Sequence, residues 1–415
     1  MLTLVEANGL RCLRYVRQPL GRFHVLVGPN ASGKTTFLDV PAFLSALVAE
    51  GLDAAVQQRT QNFTDLLWRR EGRSFQIAAE ARIPEERRSV LENTDYDTIR
   101  YEVEVGLRPG ADEVSILAEK AILKLAVVQE EAQRALFPLA PEPPHTILTG
   151  RSVKGTKTVV NKILDGNDNF YDETGKRWDH SFKLGPRKSA LGNLPEDETK
   201  FPVSSWFKRF LGEGVQQIML NSLLIRRASP PGQVRGFKPD GSNLPWVVAD
   251  VERREPSRFA AWIGHLRTAL PDLESVRTVE RPDDKHRYLV LRYRGGLDVP
   301  SWMASDGTLR LLALTLPAYL PEFMGVYLIE EPENGIHPSA VETMYQSLAS
   351  VYDAQILLAT HSPVILSVVE ASDVLCFGKT EEGATDIVAG HRHPALREWR
   401  GETNLSVLFA AGVLG

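Results

Sequence analysis

Gly28-Pro29-Asn30-Ala31-Ser32-Gly33-Lys34-Thr35 matches the pattern G-x-x-x-x-G-K-[ST] without a mismatch. The residues around it supply the required context. Phe23-His24-Val25-Leu26-Val27 reads as a buried strand ending at Gly28, and apolar positions at Phe37, Leu38, Phe43, Leu44 and Leu47 predict a helix from Lys34 to Glu50. A glycine-rich turn between a strand and a helix points successive backbone N–H groups at phosphate oxygens. Lys34 would neutralise β- and γ-phosphate charge, and the Thr35 hydroxyl would ligate Mg²⁺. Asn30, Ala31, Ser32, Gly33, Lys34, Thr35 and Thr36 are therefore the candidate phosphate-binding residues.

A second apolar strand, Val326-Tyr327-Leu328-Ile329, runs into Glu330-Glu331. In a parallel sheet such a strand tip delivers carboxylates to the edge where ligands bind. Glu330 would hold the metal ion and Glu331 would polarise the attacking water, as catalytic base. An exposed acidic loop after a core strand is the plainer alternative. Gln355-Ile356-Leu357-Leu358-Ala359-Thr360 is a third strand, ending at His361, which would contact the γ-phosphate; the alternative is a buried, satisfied histidine. Ser305-Asp306-Gly307-Thr308-Leu309-Arg310 opens a helix, with Ser305 or Asp306 as its cap. Its free N–H groups make Ser305 and Gly307 candidates for a further anion contact.

These four elements, in this order, resemble the ABC-type ATPases of the structural-maintenance-of-chromosomes (SMC), RecF and overcoming-lysogenisation-defect (OLD) branch. The motifs that carry the resemblance are the P-loop, Glu330-Glu331-Pro332-Glu333-Asn334-Gly335-Ile336-His337-Pro338, and the looser Ser-Asp-Gly-Thr-Leu-Arg signature. The resemblance implies an α/β P-loop NTPase with a mixed sheet flanked by helices and a large α+β insertion. It implies ATP and Mg²⁺ as ligands, with Lys34, Glu331 and His361 catalytic and Thr35 and Glu330 at the metal. It also implies a homodimer or higher homo-oligomer, in which ATP lies between the P-loop of one chain and Ser305 and Gly307 of the other. Asn334 to His337 would then cross the dimer interface. The glutamine that the family places near the nucleotide is expected at Gln61; Arg11 and Tyr15 lie in the first-strand region where base contacts would fall, and an ordinary surface or packing role is the plainer reading of each.

The expected division is an N-terminal ATPase lobe at 1–107, an insertion at 108–287 and a C-terminal lobe at 288–415. The insertion is rich in turns, such as Pro141-Glu142-Pro143-Pro144 and Asp165-Gly166-Asn167-Asp168, and is expected to pack irregularly on its own. Too few residues follow His361 for the Toprim nuclease domain of OLD proteins. A nuclease or toxin effector is therefore expected on a separate chain, which suggests an anti-phage defence switch. A RecF- or SMC-like clamp on DNA is the alternative.

Composition narrows the field further. The 415 residues are 43% hydrophobic and 24% charged with a net charge of −5, which excludes a polybasic nucleic-acid coat. The basic loop Arg226-Arg227 to Lys238 is the local candidate for DNA or RNA phosphates, and a solvated loop is its plainer reading. Two cysteines, Cys12 and Cys376, make no disulfide framework and fit a reducing, cytoplasmic setting. The most apolar stretch, 309–329, contains Arg310, Pro317, Pro321 and Glu322, so no membrane span is expected. The apolar segment Leu405 to Leu414 is expected to pack on the body or dock a partner.

Overall fold

The computed structural model describes residues 1–126, 136–139, 141–150, 153–175, 179–234, 236–321 and 323–394. The apolar segment 405–414 and Arg235 lie outside these. In chain order the first half gives β1 (Leu2–Leu10), β2 (Leu13–Pro19), β3 (Phe23–Val27), α1 (Lys34–Ala49), α2 (Leu52–Gln57), β4 (Ser74–Arg82), α3 (Glu85–Arg88), β5 (Thr98–Leu107), β6 (Val114–Lys124), β7 (Thr156–Ile163), β8 (Asp168–Phe170) and β9 (His180–Phe182). Next come α4 (Pro202–Gly214), β10 (Val215–Ile218), α5 (Ser222–Arg226), α6 (Leu244–Arg254), α7 (Pro256–Ala269), β11 (Leu273–Glu280), β12 (Arg287–Tyr293) and β13 (Leu297–Pro300). The chain closes with α8 (Asp306–Thr315), β14 (Gly325–Glu330), α9 (Pro338–Ala349), β15 (Ala354–Ala359), α10 (Pro363–Val368), β16 (Val374–Lys379) and β17 (Thr385–Ala389).

The central sheet has the order β10-β14-β15-β3-β16-β17, parallel except for β17. Both faces are covered, and the side-chain alternation of its strands shows it. Leu26, Leu328 and Leu357 point into one hydrophobic cluster. Val25, Val27, Ile329, Ile356 and Leu358 point into the other. The first cluster fills the space between this sheet and an eight-stranded antiparallel sheet, β2-β1-β4-β5-β6-β7-β8-β9. Helix α1 lies in that space, which is why it is apolar nearly all round, with Phe37, Phe43, Leu44 and Leu47 fully buried. The second cluster lies under α6 to α9 and the small sheet β11-β12-β13.

Residues 108–287 are α+β in content, but they do not pack on their own. The boundary at 107 falls within the β5–β6 hairpin, whose strands pair from Thr98–Lys124 to Leu107–Val114. Strands β6 to β9 simply continue the antiparallel sheet. Helix α4 packs on α1, and β10 is an edge strand of the central sheet, paired with β14. The turn-rich stretch 144–149 straps the outer face of the antiparallel sheet through polar bonds: Ile147 N–H to Gln76 Oε1 (2.8 Å) and Thr149 N–H to Glu102 Oε1 (2.6 Å). The expectation of separate, irregular packing is thus corrected. Chain-distant strands complete sheets already begun, because an unpaired strand edge is costly. Among the described residues no helix is long and apolar enough to cross a membrane.

Candidate nucleotide site

The P-loop joins β3 to α1 at the C-terminal edge of the central sheet. Its shape depends on glycine at two close approaches. A Cβ on Gly28 (φ 153°) would run into Phe377 O, and one on Gly33 (φ 104°) would run into Thr385 Oγ1. The loop is also pinned from behind, since Thr385 Oγ1 donates to Ser32 O at 2.9 Å. Lys34 is buried, and its ammonium donates to Gly28 O (2.7 Å) and Pro29 O (2.9 Å). Burial pushes its pKa down to about 8, against the opposing pull of Glu331 and Glu330. Ser32 Oγ is buried with no hydrogen-bond partner among the described residues, a donor free to serve an anion.

Strand β14 lies next but one to β3 and ends beside the loop. Thr35 Oγ1 donates to Glu330 Oε2 at 2.6 Å. A hydroxyl and a carboxylate oxygen at one point are the hard donors that Mg²⁺ takes, so these two residues fit the ion. The backbone then turns sharply. Glu331 adopts φ 45°, strained for a residue with a Cβ, while its N–H still pairs with Ala359 O at 2.8 Å. Its exposed carboxylate accepts from Asn334 Nδ2 at 2.5 Å. His361 follows β15, and its backbone N–H donates to Glu333 Oε1 at 3.2 Å. Partial burial and the Lys34 charge push its pKa below the usual value, while Glu331 and Glu333 pull it up. Lys34, Thr35, Glu330, Glu331 and His361 are therefore gathered at one sheet edge, within each other's electrostatic reach.

Among the described residues no hydrogen bond or ion pair joins Ser305 or Gly307 to this group. They form the start of α8, where Ser305 Oγ accepts from Thr308 N–H at 3.2 Å. A Cβ on Gly307 would strike Gly335 O, so this glycine lets α8 sit directly on the loop after β14. Arg226 belongs here too: its guanidinium donates to Ala304 O at 3.2 Å and lies 3.7 Å from Asp306. That end of the basic loop is thus spent on the signature segment, whereas Arg227 is exposed.

The expected glutamine contact falls elsewhere, and Arg11 and Tyr15 take the plainer of their two readings. Gln61 is exposed in the loop after α2. The glutamine that meets the site is Gln217 on β10, with Nε2 3.4 Å from Glu330 Oε1. Its signal was the run Val215-Gln216-Gln217-Ile218 immediately after a helix. Arg11 pairs with Asp39 of α1 at 3.5 Å, and the Tyr15 hydroxyl donates to Glu6 at 3.0 Å, so both spend their polar groups on the protein. Cys12, between them, touches Thr36 Oγ1 at 3.4 Å. Gln217, Glu330, Glu331, Asn334, Asp306 and Arg310 line a cleft of about 790 Å³ running from the β14 tip to α8.

The family described as "AAA domain, putative AbiEii toxin, Type IV TA system" matches residues 23–137 and 158–367. No curated protein matches the chain. Among solved structures, an SMC head bound to the C-winged helix domain of ScpA is 12% identical with a TM-score of 0.53, over 93% of this chain and 97% of its own. An SMC head with an extended coiled coil, bound to the C-terminal domain of ScpA and derived from Pyrococcus furiosus, is 13% identical with a TM-score of 0.48, over 93% and 95%. At such identities the likeness to the first is one of fold. The fold is that of an ABC-type AAA ATPase of the SMC/RecF-like branch, and the chain belongs to the AAA-domain family described as the putative AbiEii toxin of type IV toxin–antitoxin systems.

Proposed function

We propose that the chain binds and hydrolyses ATP and uses the cycle as a dimerisation switch that controls a separate effector, a nuclease or toxin, in bacterial anti-phage defence. The observation that supports it most is the gathering of Lys34, Thr35, Glu330 and Glu331 at the edge of one parallel sheet, with Thr35 and Glu330 in contact at 2.6 Å. The family's toxin–antitoxin description supports the defence setting.

In this reading the loop N–H groups and Lys34 hold the phosphates. Mg²⁺, held by Thr35 and Glu330, would offset their charge. Glu331 accepts a proton from the attacking water as its oxygen bonds to the γ-phosphorus and the bond to the ADP oxygen breaks. His361 contacts the γ-phosphate and registers its loss. Ser305 and the α8 N-terminus of a second copy close over the same phosphate, so the dimer is favoured by ATP and relaxed by hydrolysis.

The test compares phosphate release and molecular mass for the wild type and Glu331→Gln, with and without ATP. Because an amide cannot take the proton, turnover should fall by about 10²–10⁴-fold. ATP binding should persist and the ATP-bound dimer should accumulate. A variant that hydrolyses at the wild-type rate removes Glu331 from the base role.

A further inference from the structure

Glu333 sits three residues beyond Glu330, and the reaction outlined above gives it no task. Its Oε1 accepts from Thr360 Oγ1 at 2.6 Å and from His361 N–H at 3.2 Å. Thr360 Oγ1 in turn accepts from Ser362 N–H at 2.9 Å. A hydroxyl has one proton, so that of Thr360 is committed to Glu333. Ser362 Oγ accepts from Ile365 N–H and caps α10. One carboxylate oxygen therefore fixes three consecutive residues, and His361 is the middle one. The other oxygen, Oε2, is buried with no hydrogen-bond partner among the described residues, a costly arrangement for a group with a purely structural task.

The loop that carries Glu333 has two further attachments. Glu331 is held to Asn334 within it, and Gly335 O lies against Gly307 of α8. The loop thus touches both the start of α8 and the backbone of His361. We propose that Glu333 is the positioning residue that sets His361 against the γ-phosphate and links it to the signature segment. The 2.6 Å bond from Thr360 to the carboxylate is of the charge-assisted kind, about twice as strong as a neutral one. The proposal rests on the ATPase reading above.

The test is a double-mutant cycle in steady-state ATP hydrolysis by the full chain: wild type, Glu333→Ala, His361→Ala and the double variant, with Glu333→Gln added. Glu333→Ala should lower kcat about 10-fold or more and leave KM for ATP within about twofold, since the P-loop is untouched. In the His361→Ala background the same change should cost less than about twofold. Glu333→Gln, whose amide oxygen accepts the same two bonds, should recover most of the loss. Additive losses in the cycle, or a Gln variant as impaired as Ala, overturn the assignment. If Glu333→Ala fails to fold, the Gln variant decides. It should retain most of kcat with KM unchanged, and a 10-fold loss overturns the proposal. A wild type without ATPase activity instead overturns the functional reading, and this inference with it.

Discussion

Lys34 is charged in surroundings that oppose the charge. Burial lowers its pKa from the ordinary value of 10.5 to about 8, with Glu331 and Glu330 offsetting part of the effect. The depressed pKa means that the cationic form is lost as pH rises through 8, well before an exposed lysine would lose it. ATP affinity should therefore be nearly flat from pH 6.5 to 7.5 and weaken by about tenfold at pH 9. Lys34→Ala should bind poorly at every pH. Calorimetric titration of ATP across this range checks both expectations, and an affinity independent of pH would exclude the lysine charge as the main phosphate contact. Glu331 shows another kind of cost. Its left-handed backbone is held by the Ala359 pairing, which turns the carboxylate out of the sheet toward Asn334. Such strain persists only where neighbouring structure enforces it.

At the level of elements, the start of α8 separates two kinds of requirement. Gly307 is needed for contact within the chain: a Cβ there would overlap Gly335 O. Gly307→Ala should destabilise the fold by about 1–3 kcal/mol, read as a lower Tm. Ser305→Asp should stay within about 0.5 kcal/mol of the wild type, since aspartate caps a helix as well as serine does. Equal melting of Gly307→Ala and wild type would show that the α8 contact yields at no cost. The same distinction explains what was legible in the sequence. The P-loop, its strand and its helix were readable because the whole device lies within 23–49, and strands β14 and β15 were readable as buried apolar runs. Strand β10 was not. It is four residues long, two of them glutamine, and it exists only by pairing with β14, a partner over a hundred residues away. Gln217 was lost with it. The outer face of the antiparallel sheet was hidden for a related reason: over β1, β4 and β5 it is polar yet buried beside the 144–149 strap. Arg100, paired there with Glu6 (2.7 Å), Glu80 (3.2 Å) and Glu102 (2.8 Å), looks from sequence like a surface residue.

For the whole molecule, the two hydrophobic clusters place the helix after the P-loop and the helix that begins at Asp306 on opposite faces of the central sheet. Helix α1 lies in the first cluster, and α8 lies in the second. Among the described residues no hydrogen bond or ion pair joins Ser305 or Gly307 to residues 28–36. If the two segments that act on one nucleotide come from two copies, as the function proposed above has it, a two-fold dimer holds two composite sites. Lys34→Ala removes the phosphate charge from one half-site, and Ser305→Asp sets a carboxylate against the phosphate from the other half while keeping the α8 cap. Each variant should be inactive alone. In an equimolar mixture half of the dimers are mixed, and each of those has one site with both halves intact, so about one quarter of wild-type ATPase activity should return. That recovery should depend on total protein concentration. No recovery, in a mixture where heterodimers are shown to form, would contradict the composite site.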